Sequence, residues 1–482
     1  MTLVRFLSGA FTLAAFTFPV PAPAQTAPAL VRLNILALDN KGQPVGDLNP
    51  ADLQVTDQGK PERIVYFHRT GASPAGKVAP GELSNRVPLP PHTTAILFDL
   101  LNQSRVEALD AYKKVGHSLQ QLESGESVYL YVLTMDGSLL PVHAIPQDPL
   151  VAAADDKTWT QGIESRFDAL IKSHLGARPA GMTDEDFTKK TYVALETLAR
   201  QLVFFSGERN ILWVMKDVPT VSNPKTSCSG EWMDCALYVA HLAVTLDRTG
   251  VPVNPVTYAN ITDPNTNRYM VEFAGFTGGR PFFGDELRTI LSRLASDPAG
   301  GYALGYEAPP ESFDNRFHRV KVTCERKGVK IEVRQRYYAY PDARPPMMRA
   351  QEALMAALRS PADDPQIGLR LTASPVSGAQ KVIHMQVRID LPDLSLREEG
   401  GVFTGHVTVL VAAYSANGLA GDPVPADFGI RLTKEQRETV AKGGLPFAPD
   451  VPVSSGVKKI RVLVYDHASG AVGSLSVPVA QP

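Results

Sequence analysis

The sequence predicts an α/β protein in which a doubly wound, mostly parallel sheet is flanked by a small N-terminal β unit and a C-terminal β-sandwich. Between residues 92 and 340, short continuous apolar runs alternate with segments whose apolar residues recur at helical spacing. This pattern is typical of parallel strands covered by helices on both faces. Before and after that range, apolar and polar residues alternate one by one, which indicates strands with a single buried face.

Composition excludes several broad classes. At ~100–200 residues per domain, a chain of 482 residues contains two to four domains. Its 48 Lys and Arg residues nearly balance 50 Asp and Glu residues, so we expect no nucleic-acid partner. The hydrophobic fraction of 44% indicates packed cores rather than disorder. Three cysteines are too few for a scaffold that depends on disulfides.

Residues 1–24 have the three parts of a secretory signal peptide. Arg5 precedes an apolar run over 6–20, and small residues at 22–24 offer a cleavage site. A membrane anchor is the alternative, but the run contains Pro19 and is shorter than the ~20 residues that span a bilayer. We therefore expect a mature chain that is secreted or periplasmic and has no membrane span.

The N-terminal β unit is predicted over residues 25–70. Its short strands are separated by turn-forming residues at 40–42 and 57–59. About forty residues bury too little apolar surface to fold alone, so this unit is expected to pack on a larger one. Residues 71–91 are rich in Pro, Gly, Ala and Ser, which predicts a linker.

The α/β domain is predicted over residues 92–340. Its first helix carries an apolar stripe at Val106, Leu109, Tyr112, Val115 and Leu119, and 139–145 is expected to be an edge strand. The domain should close with a hairpin over 320–333. Further helices are predicted at 191–205, 236–246 and 287–294, and buried strands at 95–98, 128–133, 210–215, 252–258 and 302–306.

The C-terminal domain is predicted over residues 345–482. A short helix at 349–358 precedes strands with period-two alternation, which are typical of a β-sandwich. These strands are expected at 383–389, 407–411, 460–464 and 475–477.

The order of motifs in residues 92–340 resembles a von Willebrand factor type A (VWA) domain. An apolar strand ends in Asp99, an amphipathic helix and a two-strand return follow, and later motifs lie at 207–214 and 276–282. With the flanking segments 45–55 and 301–306, the chain is most similar to the exported branch of that family found in acidobacterial genomes. The resemblance implies adhesion or complex assembly through loops at the carboxyl edge of the sheet.

The resemblance also implies a metal site, in which Asp-x-Ser-x-Ser after the first strand would bind Mg²⁺ through oxygen atoms. Here Leu101 and Gln103 stand at the serine positions, and neither is a serine. Asn102 and Ser104 carry oxygens one residue away. The sequence thus predicts a degenerate site, with no cofactor or at most weak binding of Mg²⁺ or another divalent cation.

A threonine and a second carboxylate would complete such a site. Thr191 is the candidate threonine, with Thr183 and Thr188 as alternatives, and Asp217 is the candidate carboxylate. Lys216 beside it would oppose a cation. Asp99 is otherwise expected to organise its loop, and we expect its replacement by Ala to weaken ligand binding without unfolding the chain.

Cys228 and Cys235 bracket a six-residue loop. In an oxidising compartment a disulfide can close this loop, whereas two free thiols are the alternative. Trp232 lies within the loop and is a candidate contact residue.

Two functions remain open. The first is a non-enzymatic binding, adhesion or scaffold protein that holds a protein or extracellular ligand, with Asp99, Asn102, Ser104, Thr191 and Asp217 as loop candidates. The second is an exported hydrolase whose acids, Asp99, Asp217 and Asp285, are dispersed in sequence. No zinc-protease motif and no nucleophile elbow occurs in the sequence, which favours the first.

Overall fold

The computed structural model of the chain describes residues 29–70, 79–86, 92–119, 127–146, 162–176, 179–219, 237–259, 264–296, 300–376 and 382–479. The predicted signal peptide, residues 1–24, lies outside them. Within the described ranges the chain forms eight α-helices and five β-sheets, one of them mostly parallel. The predicted mixed α/β class is therefore confirmed.

The N-terminal segment consists of short strands joined by tight turns. Asp39 organises the first turn, since its side chain accepts hydrogen bonds from the backbone N–H groups of Lys41 and Gln43. Gly42 and Gly59 have positive φ angles of 75° and 79°, which glycine adopts without strain. The strands are β1 (Ala29–Asp39), β2 (Leu53–Asp57), β3 (Lys60–Glu62), β4 (Ile64–Arg69) and β5 (Leu83–Ser84).

The middle of the chain forms a six-stranded sheet. The strands are β6 (His92–Asp99), β7 (Val128–Leu133), β8 (Leu139–His143), β9 (Glu208–Val214), β10 (Val253–Thr257) and β11 (Phe282–Phe283). Their spatial order is β11-β10-β9-β6-β7-β8, and all pairs are parallel except β7 with β8. From β6 the chain adds β7 and β8 on one side, and then crosses to add β9, β10 and β11 on the other side. β6 is therefore the topological switch point of the sheet.

Helices cover both faces of this sheet. Each strand directs alternate side chains to opposite faces, so both faces are apolar and each forms a separate core with its helices. Ile96 and Phe98 point into one core and Leu97 and Trp213 into the other. The helices are α1 (Arg105–Leu119), α2 (Ile163–His174), α3 (Asp184–Leu202), α4 (Leu237–Thr249), α5 (Pro264–Thr277) and α6 (Leu287–Ser296). Buried residues of α1, α2 and α6 line the first core, and those of α3, α4 and α5 line the second.

After α6 the chain returns to the N-terminal strands. The returning strands are β12 (Gly301–Ala308), β13 (Arg316–Cys324), β14 (Val329–Val333) and β15 (Arg336–Ala339). They complete two four-stranded sheets, β14-β1-β12-β4 and β15-β13-β2-β3, whose apolar faces share one core. The α/β domain is therefore inserted into a β-sandwich.

Two expectations for this segment were wrong. Residues 302–306 do not join the parallel sheet, because β12 pairs antiparallel with β1 and β4. Residues 320–333 do not form a hairpin, because β13 pairs with β2 whereas β14 pairs with β1. The physical reason is that an apolar strand pattern specifies which face is buried but not which strand lies beside it.

The C-terminal domain is a two-sheet β-sandwich with α7 (Pro346–Arg359) against its outer face and α8 (Lys434–Gly443) between strands. Its strands are β16 (Leu369–Val376), β17 (Val382–Ile389), β18 (Arg397–Glu399), β19 (Val402–Ser415), β20 (Gly418–Leu419), β21 (Val424–Thr433), β22 (Leu445–Phe447), β23 (Asp450–Pro452), β24 (Lys459–Asp466) and β25 (Val472–Pro478). One sheet has β22 and β23 beside β17, followed by β16 and β5, and the other is built on β19, β24 and β25.

Part of the predicted linker belongs to this sandwich. β5 pairs with β16, and Asn85, which is 3% exposed, bonds to the backbone of Asp364, Ile367 and Leu369 at 2.7–2.9 Å. The described part of the linker, residues 79–86, is thus bound to the C-terminal domain by strand pairing and side-chain hydrogen bonds. Across the described residues, every helix is too short or too polar to span a membrane.

Candidate functional site

Asp99 ends β6 at the switch point of the parallel sheet, the place where doubly wound folds bind their ligands. Its side chain is fully buried and accepts four hydrogen bonds. The backbone N–H groups of Leu101 and Asn102 donate to Oδ1 at 2.8 and 3.0 Å. The Asn102 amide and the Trp213 indole donate to Oδ2 at 2.6 and 2.8 Å. Both carboxylate oxygens are therefore occupied by protein donors.

The electrostatics of Asp99 reflect two opposing effects. Burial raises the pKa of its carboxyl above the ordinary value, while the donors from Asn102, Trp213 and Leu101 lower it. All four partners donate, so the arrangement suits the carboxylate and leaves no acceptor for an acidic proton. Asp99 is a structural carboxyl group held by protein donors rather than an acid in contact with solvent.

Asn102 joins two of the predicted ligand residues. Its side-chain nitrogen donates to Asp99 Oδ2 and also to Thr191 Oγ1, at 2.7 Å. Thr191 is fully buried in the third turn of α3, and its own hydroxyl donates to the carbonyl of Phe187 at 2.9 Å. The structure thus brings Asp99, Asn102 and Thr191 together, with an amide nitrogen between the two oxygen groups.

The other threonine candidates have local roles in α3. Thr183 caps the helix, since its hydroxyl accepts from the Asp186 N–H at 3.2 Å. Thr188 is buried and its hydroxyl donates to the carbonyl of Asp184 at 2.8 Å. Of the three threonines considered, Thr191 is the one that contacts the residues around Asp99.

Ser104 is used to begin α1. Its N–H donates to Glu107 Oε2 at 2.9 Å, and its hydroxyl accepts from the Glu107 N–H at 3.4 Å, the reciprocal arrangement of a capping box. Glu107 also binds Lys216, with 2.9 Å between Oε1 and Nζ. Ser104 therefore serves the helix terminus rather than the Asp99 carboxylate.

The remaining acidic candidates each lie beside a cation. Lys216 Nζ lies 3.9 Å from Asp217 Oδ2, and the Asp217 side chain is 44% exposed. Arg293 lies 3.6 Å from Asp285 Oδ1. The predicted opposition of Lys216 to a cation at Asp217 agrees with this geometry. Cys228, Cys235 and Trp232 lie outside the described residues.

The predicted apolar stripe of α1 is correct at Val115 and Leu119, which are buried, and at Tyr112, which packs against the same core. It is wrong at its N-terminal end. Val106 is 78% exposed and Leu109 is 37% exposed, whereas Ala108 and Ala111 are buried with Val115. The buried face of the helix therefore runs through Ala108, Ala111, Val115 and Leu119. The sequence signal for the exposed position of Val106 is the capping box at Ser104. It places Val106 in the first turn of the helix, beside the loop after β6.

Trp213 lies in the strand that was predicted to be buried at 210–215, and it is fully buried. Its second role, as a donor to Asp99, was missed. Residues of neighbouring parallel strands explain it: Leu97 is the register partner of Trp213, and Asp99 follows two residues later on the same face of β6. A buried Trp one strand away from a strand-ending Asp was the available signal.

Comparisons with known proteins identify no family for this chain. No protein-family model matches the sequence. No curated protein matches it either. Among solved structures, one that resembles part of the chain is a point mutant of the PilB minor pilin from Streptococcus sanguinis, with 11% identity, coverage of 57% of this chain and 93% of that chain, and a TM-score of 0.26. A TM-score this low carries no conclusion about fold or function.

Proposed function

We propose that this chain is an exported, non-enzymatic binding or scaffold protein, which holds a protein or extracellular ligand through one edge of a VWA-like α/β domain. We call that edge the upper rim: the described residues that directly follow the carboxyl ends of β6, β7, β9, β10 and β11. The observation that carries the proposal is the saturated carboxylate of Asp99 at the switch point. The residue best placed for metal or acid chemistry is committed to holding the rim together.

The VWA-like assignment is supported by topology. A strand ending in Asp lies at the centre of the sheet, the third strand in sequence, β8, is antiparallel, and three helices lie against each face. The motifs at 95–99, 207–214 and 276–282, on which the resemblance rests, lie in this sheet and its helices, whereas 301–306 lies in the adjoining β-sandwich.

The degenerate character of the metal site is supported by Asn102. A Mg²⁺ ion would need oxygen ligands around it, and here an amide N–H₂ group lies between Asp99 and Thr191. Its two N–H bonds satisfy the oxygens that a cation would otherwise bind. We therefore propose that ligand binding at the upper rim does not depend on a divalent cation.

A protein-contact surface next to the upper rim is supported by exposure. Val106 is 78% exposed and is followed by Glu107, which Lys216 holds in an ion pair across the rim. An apolar side chain presented on a fixed helix terminus, surrounded by charged groups, has the composition of a small contact surface. In the described residues, no observation favours the hydrolase alternative, since Asp99 is saturated and Asp217 and Asp285 each lie beside a cation.

The test is affinity capture of partners from the native envelope extract with the mature chain as bait. Val106→Arg should lose the captured partner, because a long cation replaces the apolar contact. Val424→Arg is the matched control: Val424 is 63% exposed and lies on β21 of the C-terminal sandwich. Capture should persist with a chelator present. Equal capture by wild type and Val106→Arg, or turnover of a substrate that requires Asp99, would refute the proposal.

A further inference from the structure

Two histidines face each other on the outer surface of the C-terminal sandwich. His406 lies on β19 and His467 directly follows β24, and the His467 N–H donates to the His406 carbonyl at 3.0 Å. This backbone bond extends the β19–β24 ladder by one pair, so the two side chains lie side by side on one face. Their imidazole rings are stacked, with centroids 4.0 Å apart and planes inclined by 22°.

A carboxylate reaches the same point from the strand on the other side of β19. Asp427 on β21 is the register partner of Thr408, and Thr408 lies two residues after His406 on the same face. The Thr408 hydroxyl donates to Asp427 Oδ1 at 2.5 Å and contacts His467 Nε2 at 2.8 Å. One threonine thus positions the carboxylate and one imidazole relative to each other.

We propose that His406, Asp427 and His467 form a binding site for a divalent transition metal ion of the Zn²⁺ class. One ligand atom from each residue lies within 4.8 Å of the others. Two imidazoles and one carboxylate are the donors that Zn²⁺ takes in sites that keep an open coordination position. The site is independent of the upper rim, and it lies in a different domain.

The required adjustment is small. Zn–N and Zn–O distances of about 2.0–2.1 Å place tetrahedral ligand atoms about 3.3 Å apart. His406 and Asp427 are exposed and His467 is half-buried, so side-chain rotation alone can close the remaining gap. The three backbone positions are already fixed by the pairings of β19 with β21 and β24. Water would complete the coordination shell, because the cluster opens to solvent.

A third histidine on the same domain supplies a matched control. His384 Nδ1 lies 2.7 Å from Asp450 Oδ1, and both side chains are exposed, at 39% and 67%. This pair has one imidazole and one carboxylate, and therefore one ligand fewer than the proposed site. The His384–Asp450 pair should not hold a metal ion by itself. Comparing its variant with variants of the three-residue site therefore tests whether the third ligand is needed for metal binding.

The experiment uses the full chain without an affinity tag, stripped of metal with a chelator and titrated with Zn²⁺ by calorimetry and with Co²⁺ by visible absorption. We expect His406→Ala and His467→Ala each to lose one bound ion and the Co²⁺ absorption of that site. Asp427→Asn should weaken binding at least about 10-fold, and Thr408→Val, which removes only the positioning hydroxyl, should weaken it by about 10-fold while keeping the stoichiometry. His384→Ala should bind as wild type does.

Comparing ion counts between variants separates this site from zinc bound elsewhere, including at Cys228 and Cys235 in any chains where their predicted disulfide has not formed. Before titration, circular dichroism verifies that each of these variants is folded. Failure of the wild type to bind Zn²⁺, an unchanged ion count in both histidine variants, or an equal loss in His384→Ala would overturn the proposal. Saturation by Mg²⁺ in place of Zn²⁺ would also overturn it, because Mg²⁺ prefers oxygen ligands.

Discussion

The indole N–H of Trp213 donates a 2.8 Å hydrogen bond to Oδ2 of Asp99, and both side chains are fully buried. The bond links the largest buried side chain of the second core to the residue that ends the central strand. A substitution of Asp99 therefore directly disturbs the packing of Trp213 against the sheet. This relationship makes Asp99 part of the fold as well as part of the upper rim.

The first prediction concerns Asp99→Ala. The substitution removes the acceptor of two backbone N–H groups, of one N–H of the Asn102 amide and of the Trp213 indole. At about 1–3 kcal/mol for each orphaned donor, the free energy of unfolding should fall by about 4 kcal/mol or more. Urea denaturation followed by tryptophan fluorescence measures it. The sequence-based expectation that this variant stays intact is thus replaced.

Asp217→Ala is the control for Asp99→Ala, because its side chain is 44% exposed and surface substitutions usually change stability by less than about 0.5 kcal/mol. A denaturation midpoint for Asp99→Ala that matches the wild type would contradict the structural role given to Asp99.

The second prediction concerns divalent cations. Because the Asn102 amide lies between Asp99 and Thr191, Mg²⁺ or Mn²⁺ at about 1 mM should remain below its dissociation constant and stabilise the wild type by less than about 0.4 kcal/mol. That corresponds to a change in melting temperature of about 1 °C for a domain of this size. Thermal unfolding with each ion, and with chelator, gives the comparison. A larger stabilisation that chelator removes and that Asn102→Ala alters would contradict this prediction.

The third prediction concerns Asn102→Asp, which replaces the amide between Asp99 and Thr191 with a carboxylate. The variant loses the bridging N–H bonds and sets a second carboxylate against the buried Asp99, so it should lose about 3–5 kcal/mol of stability. A divalent cation would then have two carboxylates and the Thr191 hydroxyl as ligands, and should restore part of the loss. A wild type that responds to Mg²⁺ as strongly as this variant does would show that the amide is no barrier.

The α/β part of the fold was largely predictable from local patterns. The apolar runs at 95–98, 128–133 and 210–215 became β6, β7 and β9 because strands covered on both faces need continuous apolar sequence. Two helices, Ile163–His174 and Pro264–Thr277, were not predicted. The sandwich built from β1–β4 and β12–β15 could not be predicted, since the pairings that join its first four strands to its last four connect residues more than 230 positions apart.

The site was predicted in part. Asp99 and Thr191 were chosen correctly as neighbours, and they are connected through Asn102. What failed was the direction of each group: Asn102 presents its nitrogen rather than an oxygen, and Ser104 turns to Glu107. Residue identity predicts which atoms are available, but hydrogen bonding between elements decides which atom faces the site.

The fourth prediction is a disulfide between Cys228 and Cys235 in the exported chain. The two residues are seven positions apart in sequence, and short Cys-bracketed loops are commonly closed in oxidising compartments. Peptide mass mapping of protein prepared without reductant should recover one cross-linked peptide pair. Two thiols that both react with an alkylating reagent before reduction would exclude the bridge.

The fifth prediction concerns pH and Asp364, which lies between α7 and β16. Burial raises the pKa of its carboxyl to about 6, although the Gln366 N–H and the guanidinium groups of Arg209 and Arg461 act in the opposite direction. In the unfolded chain the pKa is about 3.9, so between these values the folded state holds the proton more tightly. Its stabilising contribution is complete below pH ~4 and is lost as the pH rises through 6.

The size of this effect follows from the two pKa values. At about 1.4 kcal/mol for each unit, a shift of about two units means that Asp364 removes about 3 kcal/mol of stability between pH 4 and pH 7. Asp364→Asn cannot ionise, so its free energy of unfolding relative to wild type should rise by about that amount over the interval. Urea denaturation at pH 4, 5, 6 and 7 measures the difference, with the exposed Asp422→Asn as the control for losing a carboxylate. If the wild-type and Asp364→Asn curves run parallel across this range, Asp364 has the same affinity for its proton in the folded and unfolded chains, and burial between α7 and β16 does not govern its ionisation.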